Sequence, residues 1–193
     1  SRAAWSCDAV CSGRDRARAT ARRTPREQRQ PLRVALLSDL DADPSASLLT
    51  RVLPWLHQSK GIRLTLLSTS ARAPSAHLEQ IARAVPTVWL PATSSAQDAP
   101  ELCEAQEALR ELEPHIILEA MGYLPGQQLS LLARSCTRAP VHASWLRAFH
   151  GSMRASFVDY TMVDARALPV GTPAASGYLE AAVLLPHQHL ANS

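Results

Sequence analysis

The chain has 193 residues, of which 46% are hydrophobic, and its formal net charge at pH 7 is +3. This length suits one domain with an appended segment, and the apolar content is enough for a hydrophobic core, which excludes a wholly disordered chain. No apolar run approaches the roughly 18 uninterrupted residues expected of a membrane-spanning helix, so the sequence predicts no membrane span.

Charge is distributed unevenly along the chain. Residues 1–30 contain eight arginines and three acidic residues, which gives that segment a net charge of +5 and leaves −2 for the remainder. A basic, acid-poor segment is typical of a solvated, disordered leader or linker. Nucleic-acid binding, contact with an acidic membrane and a transit peptide are the alternatives, although the segment lacks an amphipathic pattern. We therefore assign 1–30 to a disordered leader or linker and 31–193 to a folded domain.

The cysteines do not form a metal-site pattern. Cys7 and Cys11 are close in sequence, whereas Cys103 and Cys136 are isolated, and no histidine lies near the close pair. A structural zinc site normally needs four ligands in two close pairs. The sequence therefore predicts no metal site, and four scattered cysteines are typical of a reduced, cytoplasmic or nuclear protein.

Strand-like and helix-like segments alternate from residue 31 onward. Short apolar or alternating runs predict strands at 32–38, 62–68, 87–90, 115–118, 141–145, 157–163 and 180–185. Apolar residues at helical spacing predict helices at 45–57, 76–85, 100–112 and 127–135, with Pro54 expected to kink or end the first of them. This alternation predicts an α/β fold, a Rossmann-like three-layer domain whose parallel sheet is covered by helices on both faces.

Ligands bind such sheets at the carboxyl ends of the strands. The loops 39–47, 69–76, 119–126 and 146–156 therefore become the candidate binding loops. The tryptophans Trp55, Trp89 and Trp145 are not interleaved with basic residues, so we expect them in the core and not on a base-stacking platform. The histidines outside the binding loops are expected to be structural: His57, His77, His115, His142, His187 and His189.

Several short motifs follow one another between Pro31 and about His189. They are LRV to SDL at 32–40, DPS at 43–45, HIIL and GY at 115–123, APVHASWL at 139–146, GS at 151–152, DYTMVD at 159–164 and LLPH at 184–187. In order and spacing they resemble the amino-terminal lobe of the catalytic region in the protein O-GlcNAc transferase and Spindly family. The corresponding family stretches run L-R-V-G-Y-x-S-x-D-F, H-P-x-x-H, N-G-Y, A-P-I-Q-x-x-W-x-G-Y-P-G-T-S-G and D-Y-x-x-x-D.

The resemblance implies half of a GT-B glycosyltransferase, in which two Rossmann-like lobes face each other across a cleft. It implies transfer of N-acetylglucosamine from UDP-GlcNAc, or of fucose in the Spindly branch, to Ser or Thr of acceptor proteins. It implies no cofactor and no metal, and nucleic acid is not an expected partner. Most nucleotide contacts in the family come from the carboxyl-terminal lobe. Because this chain ends before that lobe, we expect 31–193 to be inactive alone.

Asp43 stands where the family has a histidine near the chemistry, and Ser47 stands at the second histidine of that segment. The resemblance makes Asp43 the candidate catalytic residue, because transfer to a hydroxyl needs a nearby proton acceptor. The alternative is that Asp43 is a turn residue before Pro44 or an acid that favours a helix start.

The donor-binding candidates lie in two of the predicted loops. The resemblance places Gly122, Tyr123 and Leu124 near the donor phosphates, with Leu124 replacing the family's threonine. His150, Gly151 and Ser152 occupy the region of the family's G-T-S segment, where His150 either binds phosphate or shuttles a proton, or is a solvent-exposed loop residue.

Glu119 replaces the family's usual Asn or Asp at a strand end. There it either hydrogen-bonds a sugar or an acceptor backbone, or it bonds loop amides.

Three functions follow. The first is a partial catalytic region of a protein O-linked N-acetylglucosaminyltransferase. The second is a diverged, non-catalytic family member that acts as a protein-binding module, which the loss of both histidines suggests. The third is nucleic-acid binding through the Arg-rich segment.

Overall fold

The computed structural model describes residues 30–38, 46–68, 74–90, 107–120, 141–145, 152, 154, 157–164 and 177–185. These residues contain seven strands: β1 Leu32–Leu37, β2 Ile62–Ser68, β3 Thr87–Trp89, β4 Ile116–Glu119, β5 Val141–Ser144, β6 Tyr160–Asp164 and β7 Ala181–Leu185. They also contain the helices α1 Ala46–Gln58 and α2 Ala76–Ala84, and residues 107–112 are helical. The predicted helix at 127–135 lies outside the described residues.

The strands form one parallel sheet in the order β3-β2-β1-β4-β5-β6-β7. The order reverses between β1 and β4, because the chain builds outward from β1 in one direction and then returns to add β4 on its other side. This reversal is the topological switch point of a doubly wound fold. The predicted Rossmann-like sheet is therefore confirmed.

Helices α1 and α2 cover one face of the sheet. Leu49 and Leu53 of α1 and Leu78 and Ile81 of α2 are at most 1% exposed and pack against the strands around Leu36. Helix α2 begins at Ser75, whose hydroxyl accepts a hydrogen bond from the Leu78 backbone N–H at 3.3 Å. This side-chain cap satisfies one of the backbone donors that a helix start leaves without a partner.

The opposite face carries a second apolar cluster. Leu109 from the helical residues 107–112 packs with Leu37, Leu67 and Ile117, all of them fully buried. Helices thus cover both faces, as predicted for the three-layer domain. No helix within the described ranges is long and apolar enough to span a membrane.

Pro54 was expected to kink or end helix α1, and the helix does not end there but continues to Gln58. Proline removes one backbone hydrogen bond from a helix, and here burial of Leu49 and Leu53 against the sheet offsets that loss.

The tryptophans are divided between core and surface. Trp145 is buried as expected, whereas Trp55 is 70% exposed and Trp89 is 47% exposed. Trp55 follows Leu53 on α1 by two residues, about 200° around a helix, so it lies off the buried stripe. Trp89 ends the edge strand β3, which has a neighbour on one side only.

Candidate functional site

A polar residue lies at the carboxyl end of each of five adjacent strands. An apolar residue directly precedes each of these positions: Leu67, Leu37, Leu118, Ala143 and Val163. The five residues are at most 8% exposed: Ser68, Glu119, Ser144 and Asp164 are the last residues of β2, β4, β5 and β6, and Ser38 directly follows β1. Since ligands of doubly wound folds bind at this edge, it is the candidate functional site.

Glu119 borders the switch point between β1 and β4. Its Cα pairs with that of Leu37, and the next residue, Ala120, donates its backbone N–H to the Leu37 carbonyl at 2.9 Å. The Glu119 carbonyl accepts the Trp145 N–H at 2.7 Å, which ties β4 to the end of β5. The backbone under this carboxylate is therefore held from both sides, at the place where a crevice opens in this class of fold.

Glu119 is the first of three polar side chains in one row across the sheet. Its Cα partner on β5 is Ser144, whose partner on β6 is Thr161, and all three are 0% exposed. In-register partners in a parallel sheet project to the same face, so the row lies on the same face as Leu37. A carboxylate accepts hydrogen bonds, and hydroxyls both donate and accept them. The row can therefore bind groups that carry N–H or O–H bonds.

His142 lies two residues before Ser144 on the same face of β5. It is buried, and its ring centroid lies 5.6 Å from that of Phe157. Its backbone N–H donates to Asp159 Oδ2 at 2.9 Å. These contacts agree with a structural histidine.

Six predicted site residues lie outside the described residues: Asp43, Gly122, Tyr123, Leu124, His150 and Gly151. The chain enters the segments that contain them from the carboxyl edge of the sheet, after Ser38, Ala120 and Trp145. Their assignment to a catalytic or donor site stays a prediction.

Of the residues predicted to bind the donor, Ser152 is the one among those described. Its hydroxyl donates to Glu180 Oε2 at 2.5 Å and accepts the backbone N–H groups of Arg154 at 3.0 Å and Leu179 at 3.4 Å. Glu180 directly precedes β7, so this cluster lies at the amino-terminal edge of the sheet. Ser152 therefore contacts the start of β7, and its donor-binding role also stays a prediction.

Sequence reasoning missed most of the carboxyl-edge residues. Ser38, Ser68 and Asp164 share a signal that was available, a polar residue that closes a short apolar run. Thr161 carries no such signal, because its place in the row depends on how β5 and β6 pair. Among the described residues, no group of three or more His, Cys, Asp or Glu side chains is arranged to hold a metal ion.

Comparisons with known proteins give a likeness of fold. No protein-family model and no curated protein matches the chain. A mutant of the O-GlcNAc transferase from Thermobaculum terrenum superimposes with a TM-score of 0.68 at 20% sequence identity, over 86% of this chain and 30% of that one. The lipopolysaccharide outer core galactosyltransferase WaaB, in its apo form, gives a TM-score of 0.47 at 12% identity, over 68% of this chain and 39% of that one.

The chain therefore spans less than a third of the transferase that it resembles. At 20% identity over 86% of this chain, the likeness establishes the fold. This chain has the Rossmann-like fold of one half of a GT-B glycosyltransferase.

Proposed function

We propose that residues 31–193 are the amino-terminal lobe of a protein O-linked N-acetylglucosaminyltransferase, which transfers GlcNAc from UDP-GlcNAc to Ser or Thr of acceptor proteins. The observation that carries the proposal is the fold likeness to an O-GlcNAc transferase over 86% of this chain. Two further features support it. The family-like motifs occur in order along the sequence, and buried polar residues cluster at the edge where such folds bind ligands.

Each proposed site residue has a chemical role. Glu119 accepts hydrogen bonds from sugar hydroxyls or from acceptor backbone N–H groups. Gly122, with no side chain, allows the backbone to approach the donor phosphates closely. Asp43 accepts the proton of the attacking hydroxyl, although a carboxylate with the ordinary aspartate pKa of about 3.9 is a weak base at neutral pH.

Sugar transfer needs a second lobe on the other side of the cleft. Catalysis of this kind depends on holding donor and acceptor in line and on groups that stabilise the developing charge. One lobe supplies only part of that arrangement. We therefore propose that this chain alone does not transfer sugar, and that its donor reaches it through a carboxyl-terminal lobe.

The experiment compares two proteins in one assay. The product of the complete reading frame that contains these residues and the 193-residue chain are each incubated with labelled UDP-GlcNAc and a Ser-containing acceptor peptide. The proposal expects transfer by the first and none by the second. A folded complete product that transfers no sugar to any of a panel of acceptor proteins would refute it.

The second candidate is a diverged, non-catalytic member of the family that acts as a protein-binding module. It is favoured by one observation, the replacement of both histidines of the H-P-x-x-H segment by Asp43 and Ser47. Asp43→Ala in the complete protein separates the alternatives for this position. A large loss of transfer supports Asp43 as the proton acceptor. An active protein with a silent substitution shows that another group accepts the proton and rules out the binding-only function.

A further inference from the structure

Two buried hydroxyls face each other across neighbouring strands of the sheet. Ser144 on β5 and Thr161 on β6 are Cα partners, and both are 0% exposed. Within the described part of the chain, neither Ser144 Oγ nor Thr161 Oγ1 has a hydrogen-bond partner. Buried hydroxyls are nearly always hydrogen-bonded, because leaving one without a partner forfeits its hydration and gains nothing in return. This pair therefore needs a partner of some kind.

The geometry of the sheet limits what that partner is. Neighbouring strands lie about 4.8 Å apart, and in-register side chains of parallel strands leave the sheet in the same direction. Two hydroxyls that start from this separation are spaced for a single oxygen atom at about 2.8 Å from each. The span suits one bridging water molecule.

Glu119 supplies a third polar group to the same place. It is the Cα partner of Ser144 on the other side, it is 0% exposed, and its side chain projects to the same face. A carboxylate has about four lone-pair positions and can accept from a water in addition to its other contacts. Buried waters typically make two to four hydrogen bonds to protein. A carboxylate beside two hydroxyls meets that requirement.

The polar side chains of this row are limited to one part of the sheet. On the other side of the switch point, the same row continues through Leu37 and Leu67, which belong to the apolar cluster that contains Leu109. The side chains of Leu37, Leu67 and Leu109 offer no hydrogen-bonding group to a water molecule. The polar part of the row is thus confined to β4, β5 and β6.

We propose that the face of the sheet over Glu119, Ser144 and Thr161 is a binding site for an ordered internal water, which bridges the two hydroxyls and donates to the Glu119 carboxylate. The inference does not depend on the proposed transferase function, since it rests on strand pairing and burial alone. It assigns Ser144 and Thr161 a shared role that neither residue has by itself.

The test combines a double-mutant cycle with a crystal structure of the unaltered chain. Urea unfolding is measured for the parent, Ser144→Ala, Thr161→Val and the double variant. Each single variant is expected to raise the unfolding equilibrium constant roughly 5- to 30-fold, because it takes one partner from the water. In the double variant, the increase in the unfolding equilibrium constant is expected to be smaller than the product of the two single increases, because the water is released altogether. The crystal structure should show a water within hydrogen-bond distance of both hydroxyls.

Thr87→Val is the matched control for the cycle. The Thr87 hydroxyl donates to the Val85 carbonyl at 3.0 Å on the far edge of the sheet. Because the two sites are distant, the fold-changes in the unfolding equilibrium constant caused by Thr87→Val and Ser144→Ala should multiply. The proposal is overturned if either hydroxyl can be removed without loss of stability. It is also overturned if the fold-changes caused by Ser144→Ala and Thr161→Val multiply in the double variant, as those of Ser144→Ala and Thr87→Val are expected to do. Electron density that shows each hydroxyl bonded to protein, with no water between them, would overturn it as well.

Discussion

The two halves of the sheet share one backbone pattern but differ in what they bury. The left half, defined as β3-β2-β1 with α1 and α2, packs leucines, valines and isoleucines on both faces of its strands. The right half, defined as β4 to β7, contains six of the eight buried polar side chains among the described residues: Glu119, His142, Ser144, Thr161, Asp164 and Glu180. A single row changes from Leu67 and Leu37 to Glu119 where it crosses the switch point.

This difference separates stability from function. Apolar burial stabilises the left half without any requirement for exact partners. Buried polar groups in the right half need specific partners, and they rarely improve on an apolar side chain in stability. We therefore expect substitutions in the left half to act on folding, and substitution of Glu119 at the carboxyl edge to act on ligand binding and catalysis.

The largest expected effect on stability comes from Leu37→Ala in the left half. Leu37 is fully buried in the cluster with Leu67 and Leu109, so truncation removes apolar contact and leaves a cavity. The free energy of unfolding should fall by about 2–5 kcal/mol in urea titrations. Leu179→Ala is the control, because Leu179 is 73% exposed and its truncation should change little. Equal losses of unfolding free energy in the two variants would contradict the view that apolar burial stabilises the left half.

A smaller loss is expected from Ser152→Ala in the right half. The Ser152 hydroxyl donates to the carboxylate of Glu180, which is 6% exposed, and the substitution removes that donor. Loss of a partner from a buried polar group should cost about 1–3 kcal/mol, measured by urea unfolding.

Combining Ser152→Ala with Glu180→Gln sharpens the test. A neutral amide costs less to bury than a carboxylate, so part of the loss should be recovered in the double variant. Stability equal to the parent in Ser152→Ala alone would show that the hydroxyl does not support Glu180.

The smallest effect is expected from Trp55→Gln on α1. Trp55 is 70% exposed although it lies in the left half, so the unfolding free energy should change by no more than about 0.5 kcal/mol. Leu53→Ala, two residues away and buried, should cost several times as much under the same conditions. A large loss for Trp55→Gln would place this side chain in the core after all.

The left half was largely predictable from sequence. Residues 62–68 alternate and then run apolar, and the structure places β2 at Ile62–Ser68. Apolar residues at helical spacing predicted a helix at 76–85, and the structure places α2 at Ala76–Ala84 with Leu78 and Ile81 buried. Local patterns sufficed because each element is stabilised by its own apolar stripe. The expectation that Trp55 lies in the core was wrong: it was based on the lack of interleaved basic residues, whereas helical rotation decides which residues face the sheet.

The right half was less predictable because its contacts join distant parts of the chain. The hydrogen bond from the Ser152 hydroxyl to Glu180 joins residues that are 28 positions apart, and no local pattern predicts it. The row of Glu119, Ser144 and Thr161 depends on the pairing of β4, β5 and β6, which no local pattern specifies. Sequence reasoning did identify the carboxyl edge, because the alternation of strands and helices implies a parallel sheet and its ligand edge.

The most direct test of the central claim compares the two edges of the sheet within the complete protein. Glu119→Gln alters the carboxyl edge, and Glu113→Gln alters an exposed residue at the amino-terminal edge, where Glu113 pairs with Arg33 at 3.7 Å. Transfer of labelled GlcNAc from UDP-GlcNAc to an acceptor is measured for both variants, with urea unfolding to confirm that they fold. We predict a fall of ~10-fold or more in kcat/KM for Glu119→Gln and none for Glu113→Gln. Full activity of a folded Glu119→Gln protein, or an equal loss in both variants, would contradict the assignment of the carboxyl edge as the functional site.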